Sequence, residues 1–204
     1  MTPVEEIMRT APVIPVLVIE DAAHARAIAE ALVAGGLPVL EVTLRTAAAL
    51  DAISEMKKVP GAIVGAGTIV DVAGLDSAIA AGAEFIVSPG LTYNLGKAAV
   101  AKNIPFLPGV ASAGDIMRGL DLGLTHFKFF PAEANGGLPA LKSLIGPFGQ
   151  CKFCPTGGIK QETGADWLAV PEILCVGGSW LVGKGVPDVA AIESAARAAS
   201  ALRN

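Results

Sequence analysis

The 204-residue sequence predicts an α/β fold, a (β/α)8 TIM barrel with a short N-terminal helix, filling residues 1–204 as one domain. Three observations predict it. Eight short apolar runs of strand-like composition each lead into a helix-like run. Those strand runs recur roughly every 20–26 residues, the rhythm of a compact barrel. No linker, low-complexity segment or composition break divides the series. The competing architecture is a doubly wound open sheet, but no G-x-G-x-x-G opens a helix after the first strand run.

In chain order, residues 4–10 form the leading helix and 13–19 the first strand. Residues 22–34 are helical and stop at Gly35-Gly36. The second strand is 39–45 with a helix over 47–58, and the third is 62–67 with a helix over 72–81. The fourth, 85–87, ends at Ser88-Pro89-Gly90 and precedes a helix over 95–102. The fifth, 105–107, ends at Pro108-Gly109 and precedes a helix over 113–122. The sixth is the aromatic run from His126 to Phe130, with a helix over 138–144. The seventh, 152–155, ends at Thr156-Gly157-Gly158 and precedes a helix over 165–169. The eighth, 173–176, ends at Gly177-Gly178, and a closing helix covers 189–202.

Composition narrows the function. Hydrophobic residues make up 52% and charged residues 17%, which excludes disorder and suits strands buried on both faces. A net charge of −4 without any basic run argues against nucleic-acid binding. The apolar run at 13–19 is interrupted by Pro15 and is too short to span a bilayer. Glu5 and Glu6 stand where a signal peptide would be positive, so the expected location is the cytoplasm, with no membrane partner. Cys151 and Cys154 make a C-x-x-C, but residues three apart in a strand face opposite sides. Core packing explains them better than a metal or redox centre.

The chemistry collects at strand ends, where barrel active sites lie. In the sixth strand Phe127 and Phe129 share one face, and His126, Lys128 and Phe130 the other. A lysine on the inner face of a buried strand is costly unless it is paired or sheds its charge. Its neutral amine can attack a ketone to form a Schiff base. The plain alternative is a lysine that snorkels out or meets a buried carboxylate. In the second strand Leu40, Val42 and Leu44 face the helices, which turns Glu41, Thr43 and Arg45 inward. Glu41 then needs a cation, Arg45 or Lys128. The pair reads either as a structural ion pair or as a general acid/base beside an amine nucleophile, and finding both inside the barrel favours the second.

Thr68 ends the third strand, where it can bond a substrate or cap the next helix. Pro89-Gly90 and Pro108-Gly109 shape the rim. The glycine turns after strands seven and eight match the usual phosphate site of barrels, where backbone N–H groups at helix starts bind anions. His24 is expected in the first helix, away from the site, and His126 in the core or at the barrel bottom. No His/Asp/Glu cluster has metal-ligand spacing and no Ser-His-Asp arrangement stands out.

These motifs together resemble the 2-keto-3-deoxy-6-phosphogluconate (KDPG) aldolase / 4-hydroxy-2-oxoglutarate aldolase family. The resemblance is carried, over nearly the whole chain, by Leu40-Glu41-Val42-Thr43-Leu44-Arg45-Thr46, Gly65-Ala66-Gly67-Thr68, Ser88-Pro89-Gly90, Phe127-Lys128-Phe129-Phe130-Pro131-Ala132-Glu133, Cys154-Pro155-Thr156-Gly157-Gly158-Ile159 and Gly177-Gly178-Ser179-Trp180. It implies a class I lyase of the Entner–Doudoroff pathway that uses neither metal nor other cofactor and assembles as a homotrimer. Its substrate would be a phosphorylated keto acid cleaved to pyruvate and glyceraldehyde 3-phosphate, with 4-hydroxy-2-oxoglutarate as a second substrate. By resemblance Lys128 is the Schiff-base lysine and Glu41 the general acid/base. Arg45 and Thr68 hold the pyruvate carboxylate, and Pro89 and Phe130 wall the pocket. Gly157, Gly158, Gly178 and Ser179 bind the phosphate, bordered by Thr156. The chain departs from the family pattern at Ala111-Ser112-Ala113 and at Lys160. Two other classes compete: a non-catalytic phosphosugar-binding barrel, which would not need Glu41 and Lys128 together, and a metal-dependent aldolase or epimerase barrel, which would need histidine and carboxylate ligands at strand ends.

Overall fold

A computed structural model describes residues 2–202. The strands are β1 (Val13–Leu17), β2 (Val39–Thr43), β3 (Ile63–Gly67), β4 (Phe85–Val87), β5 (Phe106–Leu107), β6 (Gly109–Val110), β7 (His126–Phe129), β8 (Lys152–Pro155) and β9 (Val176–Gly178). The helices are α1 (Pro3–Thr10), α2 (Ala25–Ala34), α3 (Ala49–Met56), α4 (Val72–Ala80), α5 (Tyr93–Ala101), α6 (Ala113–Asp121), α7 (Gly137–Ile145), α8 (Gln161–Leu168) and α9 (Val189–Ser200). Every strand pairing is parallel, as crossover helices require. One sheet runs β5-β4-β3-β2-β1-β9 and the other β6-β7-β8. Bridges from Phe153 to Ile173 and from Thr156 to Gly177 join β8 to the last strand and close the (β/α)8 ring.

The fifth strand of the barrel extends further than the sequence suggests. It runs on past Leu107 as β6, and Pro108 divides it because it has no N–H to donate. β5 bonds back to β4, while β6 bonds forward to β7, where Lys128 N–H donates to the Pro108 carbonyl at 2.8 Å. A β-carbon on Gly109 would lie 2.2 Å from the Pro89 carbonyl oxygen, so only glycine lets the loop after β4 cross this strand. The last strand also differs: Gly177 and Gly178 lie inside β9, paired with Ile14 and Pro15, rather than beyond its end.

Helix starts follow side-chain caps. Thr2, Asp71, Thr92, Ser112 and Asp188 each accept a backbone N–H of the first turn of α1, α4, α5, α6 and α9. Before α2 the chain makes a 3-10 turn over Ala22–His24, with Asp21 accepting from Ala23 N–H, so the helix begins later than its composition implies. α8 begins earlier, at Gln161, because Thr163 Oγ1 accepts the Lys160 N–H and fixes its first turn.

Two apolar layers result. Leu40, Val42, Phe127, Phe129, Phe153 and Cys151 pack outward against the helices. Ile14, Val39, Phe85, Val87, Leu107 and Cys154 fill the barrel, with Met8 of α1 sealing the bottom. Cys151 and Cys154 thus belong to different layers and remain free thiols, as their strand spacing demands. No helix among the described residues is long and apolar enough to cross a membrane.

Candidate active site

Alternation along β2 and β7 brings Glu41 and Lys128 to the barrel axis. Leu40 and Val42 are fully buried in the outer layer, as are Phe127 and Phe129, so the residues between them must turn inward. Lys128 Nζ donates to Glu41 Oε1 at 3.1 Å, with both side chains under a tenth exposed. Arg45, the other cation considered for Glu41, is not its partner. The pair sits just above the apolar plug, since Cys154 is the register partner of Lys128. Nζ also lies 5.2 Å from the Phe130 ring centroid, within reach of a cation–π contact.

Glu41 fits there because of its neighbour strand. A β-carbon on Gly67 would lie 2.1 Å from Glu41 Oε1, so the carboxylate occupies the side-chain space of that residue. Sequence reasoning did not find this role. The alternation Gly65-Ala66-Gly67 carried a signal, two inward positions without side chains, but reading it required the β2–β3 register. Thr43 also faces inward, but its hydroxyl donates to the Leu17 carbonyl at 2.8 Å and ties β2 to β1.

The remaining expected residues ring the top of the barrel. Thr68 follows β3 with φ 62°, a left-handed conformation that is costly for a β-branched residue. Such strain concentrates at functional sites. Thr68 does not cap α4; Asp71 does. Pro89 is half-buried above β4, and Thr156 lies buried at the top of β8. Gly157 and Gly158 both have positive φ, 104° and 82°, and lead directly towards α8. Ser179 is exposed just past β9, but no helix begins there: the chain runs to Val189 before α9 starts. Of the two glycine turns, only the one after β8 therefore feeds a helix N-terminus.

Arg45 is exposed and is the one described arginine without a carboxylate partner; Arg9, Arg26, Arg118 and Arg197 all have one. It lines a cavity of about 630 Å3 together with Ser179, His24 and Lys184. Its lining includes Val16, the register partner of Glu41, but neither Glu41 nor Lys128 lines it, so the cavity flanks the β1–β2 side of the barrel mouth rather than the ion pair itself. Glu20 and Asp21 add acidic groups to its wall. His24 is thus not remote: the 3-10 turn after β1 places it on the cavity wall, whereas a helix over 22–34 would hold it away. Lys184 lies in an exposed segment with no sequence signal.

His126 lies at the opposite end, as expected. Nδ1 meets Thr125 Oγ1 at 3.1 Å and Nε2 lies 3.7 Å from Glu5 Oε2 of α1. Burial, opposed by Glu5, holds its pKa below the ordinary histidine value. Among the described residues no group of three or more His, Cys, Asp or Glu is placed to hold a metal ion.

The family model "Aldolase: KDPG and KHG aldolase" matches residues 4–195. The chain belongs to this family. It is 62% identical over 203 residues to the 2-dehydro-3-deoxy-phosphogluconate aldolase of Zymomonas mobilis, an alignment covering 100% of this chain and 98% of that protein. A crystal structure of the Zymomonas mobilis ZM4 2-keto-3-deoxy-6-phosphogluconate aldolase with 3-phosphoglycerate superposes with TM-score 0.97 at 62% identity, covering 98% and 96% of the two chains. The Legionella pneumophila KDPG aldolase, with pyruvate captured as a covalent carbinolamine, superposes with TM-score 0.92 at 43% identity, covering 98% and 99%. The barrel expected from strand rhythm and the family expected from the motifs are both borne out.

Proposed function

We propose that the chain is a class I aldolase that cleaves 2-keto-3-deoxy-6-phosphogluconate to pyruvate and glyceraldehyde 3-phosphate, and also cleaves 4-hydroxy-2-oxoglutarate to pyruvate and glyoxylate. The observation that carries this reading is the buried Lys128–Glu41 contact at 3.1 Å in a chain of this family. The carbinolamine captured in the Legionella protein supports covalent chemistry on a lysine, and the 3-phosphoglycerate of the Zymomonas complex supports a phosphorylated three-carbon end.

Lys128 and Glu41 carry the reaction. Lys128 passes a proton to Glu41, and the freed amine adds to the C2 ketone. Glu41 returns protons to the departing oxygen, water leaves and an iminium forms. That iminium accepts the electron pair of the C3–C4 bond while Glu41, or a water it holds, takes the C4 hydroxyl proton. The aldehyde departs and the enamine is protonated at C3. Water then adds to the new iminium, releasing pyruvate and regenerating the amine. The Phe130 ring keeps water from the nitrogen side.

Arg45, unpaired on the cavity wall, and Thr68 hold the substrate carboxylate, with Pro89 and Thr156 bounding the pocket. Gly157, Gly158, Gly178 and Ser179 receive the phosphate, the first two at the start of α8. The chain acts as one barrel domain in the cytoplasm, assembled as a homotrimer, with no nucleic-acid or membrane partner. Pyruvate release on each candidate substrate, the galactonate epimer included, tests the reaction, and light scattering tests the assembly. Absence of turnover on all of them would leave a phosphosugar-binding barrel.

A further inference from the structure

Glu133 ends the aromatic motif of the sixth strand and has no part in the chemistry above. Its contacts are nonetheless concentrated on the glycine turn. The Glu133 N–H donates to the Gly157 carbonyl at 3.0 Å, extending the ladder that Ala132 N–H begins on the Thr156 carbonyl at 2.8 Å. A β-carbon on Gly158 would lie 2.7 Å from both Cβ and Cγ of Glu133, so the stem of Glu133 fills the space beside that turn. Oε1 accepts the Trp167 indole N–H at 3.3 Å, and Trp167 is 2% exposed in α8, the helix that the turn enters. One side chain thus touches the turn and the body of the helix behind it, while its backbone continues directly from the strand of Lys128.

We infer that Glu133 is a positioning residue for the distal, phosphate-bearing end of the substrate. It sets the Gly157–Gly158 amides relative to α8 and so fixes their distance from Lys128. Two parts of the side chain do this: the stem packed on Gly158 and the Oε1 acceptor for Trp167. The negative charge itself has no role in either contact, and glutamine supplies both. This inference rests on the phosphate reading of the glycine turn.

The test compares wild type, Glu133→Ala, Glu133→Gln and Trp167→Phe on the phosphorylated six-carbon substrate and on 4-hydroxy-2-oxoglutarate, with inorganic phosphate as a competing probe. Glu133→Ala should lower kcat/KM on the phosphorylated substrate by roughly ten- to a hundredfold, the scale of a displaced positioning group. It should weaken phosphate inhibition and leave the short substrate within about threefold. Glu133→Gln should restore both readouts, and Trp167→Phe should reproduce part of the loss. Wild-type behaviour of Glu133→Ala, equal losses on both substrates, or a glutamine variant as impaired as alanine would each overturn the inference. If Glu133→Ala fails to fold, Glu133→Leu, which keeps the stem but lacks the acceptor, decides it by the same comparison. Should inorganic phosphate fail to inhibit even the wild type, the phosphate reading of the turn fails first, and that outcome is distinct from the others.

Discussion

Gly67→Ala is the sharpest perturbation of the reacting centre, because it adds one methyl group and alters no chemical function. The new carbon would stand 2.1 Å from Glu41 Oε1 and 2.7 Å from Cδ and Cγ. β3 cannot retreat, since Gly67 pairs with Thr43 and its carbonyl accepts the Leu44 N–H at 2.9 Å. The carboxylate must therefore move. Reaching ordinary contact at about 3.4 Å takes a shift of roughly 1.3 Å, away from the place where it now meets Lys128 Nζ. A misplacement of about 1 Å costs on the order of 10²-fold in rate, or about 2.7 kcal/mol of barrier. Glu41→Gln, which removes the base outright, sets the comparison at roughly 10²–10⁴-fold. Gly67→Ala should thus fall at the mild end of that range in steady-state pyruvate release, with slower borohydride trapping of pyruvate on Lys128.

Overpacking also costs about 1–3 kcal/mol of stability, so a control is needed. Gly35→Ala provides one: its β-carbon would lie 2.4 Å from Ala196 Cβ between α2 and α9, far from the ion pair. It should lower the melting temperature without the kinetic loss. A folded Gly67→Ala enzyme turning over within about threefold of wild type would refute the reasoning, because the position of Glu41 would then not govern the chemistry.

Lys128→Met should abolish turnover and borohydride trapping, and should destabilise the fold by about 3–5 kcal/mol in denaturant melts, because it strands a buried carboxylate; adding Glu41→Leu to it should recover most of that loss. Ser179→Ala should raise KM for the phosphorylated substrate by roughly ten- to a hundredfold, the worth of a hydrogen bond to a charged group, and leave 4-hydroxy-2-oxoglutarate nearly unaffected. His126 should make stability depend on pH. Its folded pKa lies below the unfolded value of 6.5, so the folded state resists protonation. Stability should be full above 6.5, fall as pH drops from there to the folded pKa, and lose that slope in His126→Gln.

Period-two alternation made the inner and outer faces of β2 and β7 legible, and with them the meeting of Glu41 and Lys128. Strand rhythm made the barrel legible. What failed was local and had local causes. Pro108 reads as a strand end, yet a barrel strand can continue past a missing donor by bonding to a different neighbour on each side. Gly177-Gly178 reads as a turn, yet both residues pair with β1. His24 follows a helix-like run of alanines, but Asp21 accepts from Ala23 N–H and sets a 3-10 turn that carries the ring to the cavity. The first two misses depend on strand partners distant in sequence, and the third on a cap whose geometry composition does not encode.

The ion pair also explains how the barrel divides its interior. Below Lys128 and Glu41 the axis is filled by Phe85, Val87, Leu107 and Met8, all 3% exposed or less. Above them the inward positions turn small or polar: Gly67, Gly109 and Thr156. Two charges at that boundary gain nothing for folding, since well-packed apolar residues in place of a buried pair are often neutral or stabilising by about 1–4 kcal/mol. A layer deeper, the amine would be unreachable by a ketone; a layer higher, water would compete for every proton that Glu41 moves. The boundary layer is where a lysine can be both sheltered and met, and the missing side chain of Gly67 is what lets the Glu41 carboxylate share it.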